Sequence, residues 1–76
     1  MGLFRKMEFR HLAIEPAEKK RTTIAMESEF WMAAERVAKT QGITWRDWAR
    51  SALAAKPADW GRASWLRVSI LKGSAQ

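Results

Sequence analysis

The sequence predicts a mainly α-helical chain with one short β-strand, and three observations support this fold class. A segment of alternating residues, "RTTIAM", begins at Arg21. Two segments with apolar residues at helical spacing follow it, and a turn containing Gly42 separates them. A single strand cannot satisfy its own backbone hydrogen bonds, so this strand needs a partner.

The chain is long enough for one domain only, because it has 76 residues. A domain of this size buries only about 60% of the surface that its unfolded chain exposes. The absence of Cys excludes disulfides, and the single His11 has no second ligand for a zinc site. We therefore expect no metal and no cofactor, and we expect stabilisation by assembly into a homodimer.

The charge balance predicts a polyanionic partner. The sequence has fourteen Lys and Arg residues and eight Asp and Glu residues, which gives a formal net charge of +6. Nucleic acid and an anionic membrane surface both fit such a balance, and a basic composition can also arise without a specific partner. No apolar segment reaches the ~20 residues that a membrane-spanning helix needs. The start "MGLFRKMEF" is not a signal peptide, so we expect a cytoplasmic protein without a membrane role.

Residues 1–18 are interpreted as an N-terminal arm, because their apolar spacing is neither helical nor alternating and Pro16 interrupts them. Residues 20–26 alternate as in a strand. The side chains expected to face the helices are Thr22, Ile24 and Met26. Those expected on the opposite face are Arg21, Thr23 and Ala25, with Lys19 one step earlier.

A first helix is predicted over residues 28–41, with Glu27 or Ser28 as its cap and Gly42 in a left-handed position at its end. Its apolar stripe consists of Phe30, Ala33, Ala34, Val37 and Ala38. Among the tryptophans, Trp31, Trp48 and Trp65 are expected in the core, and Trp45 and Trp60 on the surface.

A second helix is predicted over residues 44–56, because Thr44 suits its N-cap and Asp47 follows three residues later. Its apolar stripe consists of Trp48, Ala49, Ala52 and Leu53. Residues 62–72 fit either a helix or a strand, and we favour a short third helix that stops at Gly73.

The segment "RTTIAMESEFWMAAERVAKTQGITWRDWARSAL", from Arg21 to Leu53, resembles the ribbon-helix-helix family of DNA-binding proteins, the MetJ/Arc type. The alternating strand, the acidic helix start, the "QGIT" turn and the spacing of the second helix carry this resemblance. It implies an intertwined homodimer in which each protomer gives one strand to a two-stranded antiparallel ribbon. The ribbon would enter the major groove of double-stranded DNA. Pairing of the strand within its own chain is the alternative.

The resemblance also implies the site residues. Base edges would be read from the outer face of the strand by Arg21, Thr23, Ala25 and Lys19, although Ala25 departs from the polar residue usual there. Phosphate would be held at the start of the second helix and beside the strand by Thr44, Trp45, Arg46 and Lys20. The dimer core would contain Thr22, Ile24, Met26, Phe30, Val37, Trp48 and Leu53.

The functional hypothesis is a transcriptional regulator that binds specific DNA sequences and acts as a repressor. It divides the chain into an arm (1–18), a ribbon-helix-helix domain (19–56) and a C-terminal extension (57–76). One alternative is the antitoxin of a toxin–antitoxin pair whose extension contacts the toxin. Another is a protein-interaction or anti-activator module that does not bind DNA. No catalytic residues are predicted, because no recognisable catalytic set or phosphate-binding loop occurs, so we expect no enzyme.

Overall fold

The computed structural model describes residues 6–15 and 20–74, which form two strands and three helices. The strands are β1 (Met7–Glu15) and β2 (Lys20–Glu27). The helices are α1 (Ser28–Thr40), α2 (Trp45–Ala54) and α3 (Arg62–Ser74). The predicted helices are therefore confirmed, and residues 62–72 are helical rather than extended. None of the helices in the described ranges is long and apolar enough to cross a membrane.

The expectation of a single strand is wrong, because β1 and β2 pair with each other as a two-stranded antiparallel sheet. We call this pair the ribbon. The β1 strand lies in the segment interpreted as an arm and ends at Glu15, immediately before Pro16. The strand partner observed in the chain is therefore its own N-terminal segment.

The register of the ribbon sorts its side chains between two faces. Ile24 lies opposite Arg10, and Thr22 lies opposite Leu12. Residues opposite each other in an antiparallel pair project to the same face of the sheet. Leu12, Ile24 and Met26 are buried against the helices. The inward face predicted for β2 is therefore confirmed at Ile24 and Met26, while Thr22 is half-buried.

The loop between α1 and α2 follows the sequence pattern closely. Gly42 has a φ of 73°, which an L side chain rarely adopts, so the helix stop predicted there is confirmed. Thr44 caps α2, because its hydroxyl accepts the backbone N–H of Asp47 at 3.1 Å. Glu27 precedes α1 as its N-cap without a side-chain capping bond.

Helix α3 does not stop at Gly73, contrary to the prediction, but includes it and ends at Ser74. A Cβ atom at Gly73 would lie 2.7 Å from Cγ1 of Val37 in α1. The absence of a side chain therefore allows the end of α3 to pack closely on α1. The residue is a packing glycine rather than a helix stop.

One hydrophobic core joins the ribbon and all three helices. Its buried residues are Leu12, Ile24, Met26, Trp31, Ala34, Val37, Ala38, Trp48, Ala49, Leu66 and Ile70. The core thus includes residues from the predicted arm and from the predicted C-terminal extension. Among the residues predicted for a dimer core, Ile24, Met26, Val37 and Trp48 are already buried within one chain, whereas Thr22, Phe30 and Leu53 are half-buried.

The tryptophans follow the prediction with two differences. Trp31 and Trp48 are buried, and Trp60 is exposed. Trp65 is half-buried, and its indole N–H donates to the Ala52 carbonyl at 2.7 Å. Trp45 is also half-buried rather than exposed, because an arginine from β1 covers its ring.

Candidate nucleic-acid interface

The outer face of the ribbon presents side chains from both strands. Phe9 lies opposite Ala25, His11 opposite Thr23, and Ala13 opposite Arg21. Phe9, His11, Thr23 and Arg21 are exposed, and Ala25 is half-buried. Nδ1 of His11 and the hydroxyl oxygen of Thr23 are 2.8 Å apart, which joins the two strands by a side-chain hydrogen bond. The face predicted for β2 thus continues across the ribbon onto β1.

Arg10, on the inner face of β1, fixes the position of Trp45. Its guanidinium lies 4.9 Å from the ring centroid of Trp31 and 4.8 Å from that of Trp45. It also forms ion pairs with Glu8 at 2.7 Å and Glu35 at 2.9 Å. The two indole rings meet edge to face with centroids 5.4 Å apart. Cation–π and ion-pair contacts therefore connect β1, α1 and the first residue of α2.

The electrostatic surroundings of Arg10 keep it charged. Partial burial alone would lower the pKa of Arg10, because desolvation disfavours a cation. Hydrogen bonds to Glu8 and Glu35, together with their negative charges, outweigh this effect and raise the pKa above its usual value. Arg10 is therefore a permanent structural cation beneath the outer face.

The N-terminus of α2 is open toward the same side. The Trp48 N–H donates to the Thr44 carbonyl, and the Asp47 N–H donates to the Thr44 hydroxyl. Within the described part of the chain, the N–H groups of Trp45 and Arg46 have no acceptor. The guanidinium of Arg46 lies 4.6 Å from the ring centroid of Trp45. A helix N-terminus with free N–H groups and an adjacent cation attracts phosphate.

An open cavity of about 340 Å³ lies between the ribbon and α2, and we call it the cationic cleft. It is lined by His11, Ala13, Arg21, Arg46 and Arg50. Arg50 is anchored, because it donates to the Ala13 carbonyl at 3.3 Å and pairs with Asp47 at 2.9 Å. Among the side chains that the structure describes, neither Arg21 nor Arg46 has an ion-pair partner. The cleft therefore holds two cations that no described carboxylate compensates.

A second open cavity of about 350 Å³ adjoins the cationic cleft and shares two of its residues. It is lined by Arg10, His11, Trp45 and Arg46. His11 therefore lies between the outer face of the ribbon and the N-terminus of α2. The outer face of the ribbon, the two cavities and the N-terminus of α2 together form one continuous positively charged surface.

The structure brings together most of the residues predicted to contact DNA. Arg21 and Arg46 line one cleft, and Thr44 and Trp45 lie at the same helix start. Thr23 and Ala25 follow Arg21 along the outer face. Lys19 lies outside the described residues, and so does the side chain of Lys20.

Arg50 and His11 belong to this surface but are not among the DNA contacts predicted from the sequence. Arg50 follows Arg46 by four positions on α2, so helical spacing alone places both on one side of that helix. His11 was assigned to the arm, although Phe9, His11 and Ala13 alternate with Arg10 and Leu12. This alternation is typical of a strand, but it is hard to recognise because Arg10, a charged residue, occupies a position on the inner face.

The described residues contain no group of three or more His, Asp or Glu side chains placed to hold a metal ion. The surface is instead defined by guanidinium groups, free backbone N–H groups and aromatic rings. Such groups bind anions through charge and hydrogen bonds.

Comparison with protein families gives a match over most of the chain. A sequence model described as a ribbon-helix-helix domain matches residues 10–73. The chain belongs to the ribbon-helix-helix domain family. Members of this family generally bind DNA and form dimers, and they are typically non-enzymatic modules. No curated protein and no solved structure matches the chain significantly.

The extent of the match agrees with the observed core. The matched residues include most of β1, all of β2, α1 and α2, and nearly all of α3. The motifs that carry the resemblance in the sequence lie between Arg21 and Leu53. The family relationship therefore extends into the strand and the helix that flank the central segment.

Proposed function

We propose that this protein is a sequence-specific DNA-binding transcriptional regulator that acts as a repressor. The outer face of the ribbon would enter the major groove, and α2 would hold the adjacent phosphate backbone. The observation that carries this proposal is the cationic cleft, where Arg21 of β2 meets Arg46 and Arg50 of α2. The cleft supports the proposal, because a cation proposed to read bases lies beside two cations proposed to bind phosphate.

The base-reading part of the proposal rests on exposure and side-chain chemistry. Arg21 is exposed and has no carboxylate partner in the described residues, so its guanidinium is available for O6 and N7 of guanine. The Thr23 hydroxyl can donate or accept a hydrogen bond. Ala25 offers a methyl group and fits an apolar contact with thymine. Lys19, two residues before Arg21, would extend this set.

The phosphate-binding part rests on the start of α2. The N–H groups of Trp45 and Arg46, which have no acceptor among the described residues, would donate to a phosphate oxygen, with Thr44 as the cap of the helix. Arg46 and Arg50 would add charge, and Lys20 would do the same from β2. The exposed part of Trp45 would pack against a sugar. Such contacts make affinity fall steeply with salt.

The proposal predicts selective and salt-dependent binding to duplex DNA. The experiment is a titration of protein into a labelled duplex from upstream of its own gene, at two salt concentrations, with an unrelated duplex as competitor. We expect a complex that survives the competitor and weakens as the salt concentration rises. If the unrelated duplex displaces the labelled duplex as effectively as an unlabelled copy of that duplex does, sequence specificity is contradicted.

An antitoxin role is the second candidate, with a partner protein on residues 57–76. The exposed side chains of Trp60 and Leu71 favour it, since both lie in this segment. The burial of Leu66 and Ile70 within the domain argues against a freely available tail. Co-purification of a protein encoded next to this chain, lost on replacing Leu71 with Asp, would support the antitoxin role.

A further inference from the structure

We propose that β1 is a second base-reading strand, in which His11 and Phe9 contact bases beside Thr23 and Ala25. This inference rests on the proposed DNA-binding function and extends it to residues outside β2. In the proposed arrangement, a single chain supplies both strands of the surface that reads the bases. The resemblance alone would assign one strand of the ribbon to each of two protomers.

The register places the four side chains in two facing pairs. Phe9 is opposite Ala25, and His11 is opposite Thr23, so all four project from the same face. Phe9 is 65% exposed although it is a large apolar side chain. Two adjacent strands are ~4.8 Å apart, and the major groove is ~12 Å wide, so both strands fit into it together.

His11 has the geometry of an oriented hydrogen-bonding group. Its Nδ1 atom contacts the Thr23 hydroxyl at 2.8 Å, and this bond fixes the direction of the ring. No hydrogen bond within the described residues engages Nε2 of the exposed ring. One nitrogen is therefore used to hold the ring, while the other is available to donate to or accept from a base edge.

The arginines around His11 favour DNA as the binding partner over a protein surface of mixed charge. The two cavities that His11 lines also contain Arg10, Arg21, Arg46 and Arg50. Arg10 and Arg50 are paired with carboxylates, while Arg21 and Arg46 have no carboxylate partner among the described side chains. His11 thus shares the cationic cleft with Arg21, which is proposed to read bases, and with Arg46, which is proposed to bind the adjacent phosphate.

Phe9 provides an apolar contact at the other end of the same face. With Ala25 opposite it and exposed Met7 two residues earlier, it forms a small apolar patch. Thymine presents a methyl group in the major groove, which an apolar side chain can contact. We assign this patch to duplex DNA because it continues the cationic surface along the ribbon.

The test uses the full chain and a duplex that the unmodified protein selects from a random library. Phe9→Ala and His11→Ala are compared with Met32→Ala, which removes an exposed apolar side chain from α1. We expect the first two to weaken binding to the selected duplex by about tenfold, the loss of one good base contact, with little change on random DNA. Met32→Ala should bind as the unmodified protein does.

Two further variants separate base contact from a structural role of His11. The Asn side chain in His11→Asn can replace the bond from Nδ1 to Thr23 but does not reach as far as Nε2. The Gln side chain in His11→Gln reaches that position and favours adenine. We expect His11→Asn to bind as weakly as His11→Ala, and His11→Gln to shift the selected base at one position.

The outcomes separate this inference from the proposed function. If Phe9→Ala and His11→Ala bind like the unmodified protein while Arg21→Ala loses specific binding, the inference is overturned and DNA binding stands. If the unmodified protein selects no sequence, the proposed function fails and the inference with it. A change of molecular mass caused by Phe9→Ala would assign the apolar patch to contact with a second copy and overturn its role in reading.

Discussion

At the scale of single residues, Arg10 shows how an inward-facing charge can be stabilised in a small domain. Its guanidinium is enclosed by two indole rings, and its charge is balanced by Glu8 and Glu35. The alternation of β1 is consequently inverted, with Phe9 outside and Arg10 inside. This is the physical reason why hydrophobic periodicity did not predict the strand.

Replacing Arg10 with Ala should lower the free energy of unfolding by about 1–3 kcal/mol. The change removes the cation–π contacts with Trp31 and Trp45 as well as two ion pairs. Arg10→Lys keeps the charge but loses the planar stacking group. Its free energy of unfolding should therefore lie between those of the unmodified protein and Arg10→Ala. Urea denaturation measures these differences.

Arg36→Ala is the matched control, because it removes an exposed arginine of α1 that has no ion-pair partner in the described residues. Its effect should stay within about 0.5 kcal/mol. If Arg10→Ala and Arg36→Ala have the same midpoint as the unmodified protein, the stabilising role of the Arg10 contacts is refuted.

At the scale of secondary structure elements, the helices could be predicted but one strand could not. The α1 and α2 helices have apolar stripes, a glycine with left-handed geometry between them and a Thr44 cap, and each of these is a local signal. The β1 strand is stabilised by tertiary contacts with α1 and α2. These contacts are not visible in local periodicity, which is why β1 was interpreted as an arm.

The contact between α3 and α1 gives the prediction at this scale. Gly73→Ala places a methyl group against Val37, whose β-branched side chain has little freedom to move. Overpacking lowers the free energy of unfolding by about 1–3 kcal/mol, whereas the higher helix propensity of Ala raises it by at most ~1 kcal/mol. We therefore expect a net loss of stability of about 1–2 kcal/mol in urea denaturation.

A double-mutant cycle tests the cause. In a Val37→Ala background the clash disappears, so Gly73→Ala should become neutral or stabilising. An equal cost of Gly73→Ala in both backgrounds would show that the loss of stability arises elsewhere than at Val37.

At the scale of the whole molecule, the family could be inferred from the order of the elements, because strand, helix, turn and helix each had a signal. The cationic cleft could be predicted only in part. Arg21 and Arg46 were identified from the strand and the cap, but His11 and Arg50 join them only after β1 has paired with β2. The cleft forms where the ribbon packs beside α2, and the local sequence pattern of each element does not show how the elements pack together.

Homodimer formation is also a prediction at this scale. The family generally forms dimers, and β1 already occupies one edge of β2 within the chain. Sedimentation velocity should give twice the 8.7 kDa mass of one chain. A species of single-chain mass at micromolar concentration would contradict the dimer and leave each ribbon to act alone.

The central claim is that the cationic cleft binds DNA and that Arg21 reads bases within it. The most direct measurement compares Arg21→Ala with Arg36→Ala, which removes the same charge from α1, on the selected duplex and on random DNA. We predict that Arg21→Ala weakens the selected complex by about 1–3 kcal/mol and relaxes one base preference, while Arg36→Ala has little effect. Equal losses for the two variants on both duplexes would contradict the claim, because binding would then depend only on overall charge.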